Sequence, residues 1–260
     1  MTEQIRTHPK SFQVGKWFGP SVGTVQLTDD LLSAFLKMTD DLIKDEETQL
    51  HGKHLAGRIA SERRIYKEDM IKYGVSDFME GCLKTYAFES AKANGFIKEG
   101  VQMQASINSA WVVSQYENEY NPLHNHTGCD ISGVLYLKMP NVKGRRQKFL
   151  PKVKEGKPDN DGNITFVYNS ASQRHGDALE NGVAEVEPKD GMMLLFPSYL
   201  LHTVYPFLGE EERRCIAFNG QYNLVKAIGE KTADYIAGTL NKPINSTFYD
   251  KKKEDMKEYE

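Results

Sequence analysis

From residue 101 onward the chain is written in short apolar runs broken by Gly and Pro: VQMQASINSAWVVSQY, ISGVLYLKM, NITFVY, GVAEVEP, GMMLLFPS, HTVYPF and RRCIAFNGQY. Runs of this length, rich in Val, Ile, Tyr and Phe and bounded by turn residues, read as strands. So many short strands in one segment must stack as two sheets or close on themselves, which predicts a mainly β sandwich or barrel with flanking α-helices. Two interruptions, 141–163 and 169–182, are too polar for a core and read as long loops over one mouth of the barrel.

The first hundred residues carry a different period. TDDLLSAFLKMTDDLIKD opens on a Thr28 cap and an acidic turn, then repeats Leu32, Phe35, Leu36, Thr39, Leu42 and Ile43 at helical spacing. A second helix is expected from Ser76, with Met79, Leu83, Tyr86 and Ala87 on one side and Gly95 suited to a left-handed end. The chain therefore reads as one domain, 1–260: a helical support over 1–100, a strand-rich core over 101–224, and a helix plus solvated tail over 225–260.

Composition narrows the function classes. Lys plus Arg number 33 against 36 acids, and no long region is dominated by one sign, so nothing points to a nucleic-acid surface. No run approaches the roughly 18 apolar residues of a membrane span, and MTEQIRTHPKSF has no apolar signal centre, so a cytoplasmic location is expected. Cys82, Cys129 and Cys215 are few and odd in number, which fits reduced thiols. The expected partner is a small-molecule or peptidyl substrate, and the oligomeric state is not legible.

The chemistry concentrates in NPLHNHTGCDISGVLYLKMP. Side chains two apart on a strand share a side, so His124 and His126 can face one point, and neutral imidazole is a common ligand of Fe, Zn, Cu and Ni. His202 opens a later run, where one hairpin could supply the first ligands and a distant strand the last. On RRCIAFN, alternation puts Arg213, Cys215, Ala217 and Asn219 on one small and polar face, and a guanidinium at the bottom of such a cavity suits a grip on a carboxylate.

These two segments, with LLFPSYLLHTVYPFLGEEERRCIAFN, resemble the iron(II) and 2-oxoglutarate-dependent oxygenases, in a branch related to prolyl hydroxylases; the resemblance covers about 101–222. It implies a double-stranded β-helix of the jelly-roll or cupin-like type and an oxygenase using Fe(II), 2-oxoglutarate and O2 to hydroxylate its substrate. By the resemblance His126 and His202 hold iron, Arg213 is the 2-oxoglutarate clamp, Tyr136 reaches the same carboxylate, and Asn219 lines the pocket. The family's usual His-x-Asp or His-x-Glu is here His126, Thr127, Gly128, so Asp130, His124 or water completes the metal site. HNHTGCD also resembles the cupin pattern, in which His124, His126, Asp130 and His202 would bind one metal without 2-oxoglutarate. A non-catalytic jelly-roll binding module is the third reading.

Overall fold

The computed structural model describes residues 9–16, 19–51, 55–97, 101–145, 159–168 and 182–226. The expected C-terminal helix and tail beyond 226, and most of both long loops, lie outside these residues.

Each of the seven runs became a strand: β4 (Val101–Gln115), β6 (Ile131–Lys138), β7 (Ile164–Val167), β8 (Val183–Val186), β9 (Met192–Pro197), β10 (Leu201–Val204) and β11 (Arg213–Lys226). One more, β5 (Asn121–His124), precedes the histidine turn. The N-terminal part adds β1 (Ser11–Lys16), β2 (Ser21–Gln26) and β3 (Ser61–Ile65) around the helices α1 (Asp29–Lys44), α2 (Lys67–Lys72) and α3 (Ser76–Ala93). The expected helical support is therefore half strand. β1 and β3 are the edges of the main sheet, and an edge strand such as Ser-Glu-Arg-Arg-Ile needs no unbroken apolar face, so periodicity does not reveal it.

The expected helix signals hold. Thr28 caps α1 by accepting from the Leu31 amide at 3.4 Å, and Gly95 ends the α3 region at φ +75°.

The strands form a seven-stranded sheet, ordered β1-β2-β9-β6-β11-β4-β3, and a four-stranded sheet, β5-β10-β7-β8, with antiparallel pairing throughout: the jelly-roll fold. The pleat sorts side chains into two cores. Leu135, Leu137, Met193, Leu195, Ile216 and Phe218 face α1 and α3, while Val134, Tyr136, Leu194, Phe196 and Cys215 face the smaller sheet. β6, flanked by β9 and β11 and covered on both sides, is consequently buried at every position but Lys138. Helices seal one face of the large sheet, leaving the space between the sheets for chemistry.

Candidate metal centre

His124 and His202 stand directly opposite each other on paired strands β5 and β10, with ring centroids 4.3 Å apart. His126 lies past the end of β5, not on a strand as the alternation argument supposed. Its backbone amide donates to the Ser198 carbonyl at 2.9 Å, and Gly128 turns the chain with φ +75°. The turn folds the His126 ring over His202, nearly parallel to it at 5.2 Å. One nitrogen from each of the three imidazoles then lies within 4.8 Å of the others.

The ring tautomers follow from the backbone. Nδ1 of His124 faces the Pro122 carbonyl at 2.7 Å and Nδ1 of His202 faces the Leu200 carbonyl at 2.9 Å. A carbonyl only accepts, so each Nδ1 carries the proton and each Nε2 presents a lone pair. Nε2 of His126 and Nε2 of His202 are 3.3 Å apart. Two nitrogens bound about 2.1 Å from one ion at a right angle would lie roughly 3.0 Å apart, so this spacing fits a shared cation. Burial lowers all three pKa values, His126 to about 4 and His202 to about 3, with the neighbouring His124 adding to the effect on both. Near neutral pH the rings are uncharged, the form that binds metal.

Asp130 is not in this group. Its carboxylate accepts from the Tyr222 amide at 3.3 Å, and the residue lines a separate cavity with Cys129, Tyr199 and Tyr222. The strand pleat begins only at Ile131, so alternation counted back from Ser132 does not extend to Asp130. Among the described residues, the ligand cluster is three histidines without a carboxylate.

A cavity of about 390 Å³ joins the histidines to Arg213, Tyr136 and Asn219. Arg213 is 2% exposed; its Nε donates to the Gly162 carbonyl at 3.2 Å and its Nη1 to Gln115 Oε1 at 3.0 Å. Those two bonds fix the guanidinium plane and leave Nη2 buried without a hydrogen-bond partner among the described residues. The Tyr136 hydroxyl is in the same position, fully buried and unpartnered, with the Arg213 guanidinium carbon 5.3 Å from its ring centre. Burial pushes the Tyr136 phenol upward, so it remains protonated and able to donate. Two buried donors without acceptors are costly and call for an acceptor that the protein itself does not supply.

Asn219 lines the same cavity, but its amide is engaged: Oδ1 accepts from Ser132 at 2.9 Å and Nδ2 donates to Ser109 at 3.4 Å. Trp111 forms wall, stacking on His51 at 4.8 Å. The acids of GEEE serve other arginines. Glu212 pairs with Arg214 and Glu211 with Arg145, so Arg213 stays free for the cavity. Arg146, Lys148, Arg174 and His175 lie outside the described residues.

Residues 109–219 match a family model described as "Putative 2OG-Fe(II) oxygenase". The barrel is thus similar to the iron(II)/2-oxoglutarate oxygenases over that segment. Iron(II) and 2-oxoglutarate are the cofactors that this likeness names, and a set of neutral imidazoles beside two orphaned donors fits both. No curated protein matches the chain.

Among solved structures, the chain is similar to a prolyl hydroxylase from Trichoplax adhaerens in complex with a hypoxia inducible factor peptide fragment, at 14% identity over 76% of this chain and 83% of that one, TM-score 0.48. It is similar to a prolyl-4-hydroxylase from Pseudomonas putida at 14% identity, 80% and 93% coverage and TM-score 0.45. A third is HygX from Streptomyces hygroscopicus with nickel and 2-oxoglutarate bound, at 13% identity, 77% and 82% coverage and TM-score 0.44. Likenesses this distant assign no residue role in this chain.

One cavity residue escaped the sequence reading. Glu62, on β3, lines the same space, outside the segment that the family model covers. Its neighbours in SERRI give it the look of an exposed charged strand.

Proposed function

We propose that this protein is an iron(II)- and 2-oxoglutarate-dependent hydroxylase in which His124, His126 and His202 hold iron(II), while Arg213 and Tyr136 hold the distal carboxylate of 2-oxoglutarate. The observation that carries the reading is the pair of orphaned donors, Arg213 Nη2 and Tyr136 Oη, in one cavity with three convergent imidazoles. A carboxylate satisfies both donors and neutralises the buried guanidinium, which explains why an arginine is tolerated there.

Bound iron would supply the oxidative chemistry, with 2-oxoglutarate, O2 and a C–H substrate becoming succinate, CO2 and the hydroxylated product. The chain's own residues orient and shield. Gln115 and the Gly162 carbonyl set the guanidinium plane, the Pro122 and Leu200 carbonyls fix the ligand tautomers, and Phe196 and Trp111 exclude water around the rings.

The cupin-type reading without 2-oxoglutarate shares the three histidines but leaves Arg213 Nη2 and Tyr136 Oη without a role. Its proposed fourth ligand, Asp130, faces the other cavity.

Anaerobic addition of iron(II) with and without 2-oxoglutarate separates the readings. The expected result is a weak visible charge-transfer band that requires both components and fades in Arg213→Ala. Iron binding with no response to 2-oxoglutarate would favour the cupin-type site, and no metal binding would leave a jelly-roll module.

A further inference from the structure

Glu62 is 3% exposed, and its carboxylate accepts no hydrogen bond from any described residue. It belongs to a single row across the large sheet. β3 Glu62 pairs with β4 Val113, Val113 with β11 Cys215, and Cys215 with β6 Tyr136. Residues paired across a sheet share a face, and all four line the 390 Å³ cavity. The row thus runs from the Tyr136 and Arg213 end to an acidic end at the sheet edge. At about 4.8 Å per strand, three strand spacings separate Glu62 from Tyr136 by roughly 14 Å along the sheet. One cavity therefore holds a buried cation at one end and a buried carboxyl at the other.

Among the described residues, no ion pair to Glu62 is found. Arg63, on the opposite face of β3, donates to the Asp45 and Thr48 carbonyls, and Arg64 donates to Gln49. The charge of another acid, Glu119, acts on Glu62 instead. His51, whose amide donates to the Glu62 carbonyl, puts its ring on Trp111 in the same wall. Asn121 contributes a further cavity-facing oxygen: a Cβ built on Gly57 would lie 2.4 Å from Asn121 Oδ1 and 3.4 Å from Glu62 Oε1, so both oxygens converge beside this glycine. Burial, with the charge of Glu119, lifts the Glu62 pKa to about 7, the response of a carboxyl placed without a partner.

We propose that Glu62 is the substrate anchor of this cavity, and that the group it takes is an organic ammonium. The assignment rests on the oxygenase reading, because it leaves the Arg213 end to 2-oxoglutarate and gives the remaining space to substrate. An ammonium entering between Glu62 and Asn121 meets a carboxylate and an amide oxygen, and its arrival favours the ionised form of Glu62. A neutral donor would satisfy the carboxylate with a hydrogen bond but leave its charge unbalanced, and an anion would add to the cost.

The test uses the full chain loaded anaerobically with Mn(II) and 2-oxoglutarate, with n-butylammonium, n-butanol and butyrate as probes. Paramagnetic broadening of probe protons by Mn(II) reads binding near the metal without turnover. Wild type should prefer butylammonium over both other probes, and Glu62→Gln should weaken that probe about ten- to hundredfold, the loss expected for one charge-assisted contact. Glu62→Asp, which keeps the charge, should retain the preference. No preference for butylammonium in wild type, or a preference unchanged in Glu62→Gln, would overturn the proposal. A wild type in which 2-oxoglutarate leaves the Mn(II) signal untouched would instead overturn the oxygenase site reading itself.

Discussion

Tyr136→Phe should move stability and ligand affinity in opposite directions. In the free protein the Tyr136 hydroxyl is fully buried and has no partner among the described residues, and a buried polar group without a hydrogen bond costs about 1–3 kcal/mol. Phe keeps the ring, its packing in the inner core and its contact with the Arg213 guanidinium. Removing the oxygen should therefore stabilise the free protein by about 1 kcal/mol, which for a domain of this size raises Tm by roughly 2–4 °C. The same oxygen is assigned to the 2-oxoglutarate carboxylate, where one hydrogen bond to a charged group contributes about 1.5–3 kcal/mol. The Kd for 2-oxoglutarate should then rise by roughly ten- to hundredfold. Thermal unfolding of the metal-free protein and anaerobic calorimetry of 2-oxoglutarate binding to the Mn(II) form measure the two numbers independently. A free protein that loses stability would mean that the hydroxyl already has a partner, and an unchanged Kd would mean that it does not meet the co-substrate. Either result refutes the reasoning from the orphaned oxygen.

Neighbouring arginines should separate into two roles. Arg214→Ala should destabilise by about 1.5–3 kcal/mol, because it loses the pair with Asp40 and leaves Glu212 only Ser114 at 2.8 Å and Lys138 at 3.3 Å, while the 2-oxoglutarate response persists in whatever protein remains folded. Arg213→Ala should abolish that response, with iron binding retained. His202→Ala should remove metal binding, read as loss of the stabilisation on adding Mn(II), which is about 2.7 kcal/mol at a hundred times the Kd. Glu62 sets a pH dependence in the metal-free protein. Its folded pKa of about 7 lies above its ordinary 4.5, so between those values the folded state binds more protons and stability falls as pH rises. The penalty is absent below about pH 4.5 and complete above about pH 7. Allowing for screening through the open cavity, it should reach about 1–2 kcal/mol, so Glu62→Gln should gain on wild type by that amount between pH 5 and pH 8 in denaturant unfolding. A constant difference across that range would refute the buried, unpartnered carboxyl.

How much of this was legible depends on the range of the interaction that decides each feature. The seven core strands, α1 with its Thr28 cap and the α3 ending at Gly95 follow from local period and turn chemistry, which a sequence states directly. The inner face of β11 was readable too, since Arg213, Cys215, Ala217 and Asn219 all line the cavity that alternation implies. His124, His126 and His202 could be named as a group, but their geometry could not: β5 ends at His124, and a turn tied to the Ser198 carbonyl brings His126 back over the partner ring. Alternation also misplaced Asp130, which precedes the strand whose pleat would have aimed it inward.

The sequence by itself determined the periods, and with them the mainly β sandwich-or-barrel class and the small polar face bearing Arg213. Tertiary structure alone decided which donors are left unsatisfied. Local pattern makes Arg213 and Arg214 adjacent charges of one kind; the register of β11 against β4 gives one to Gln115 and the cavity, while Glu212 and Asp40 take the other. Glu62 is the extreme case, a residue in a charged edge run that acquires its burial and its raised pKa only when β3 docks beside Val113. Side-chain direction is a property of a few residues, whereas desolvation depends on everything that packs around them.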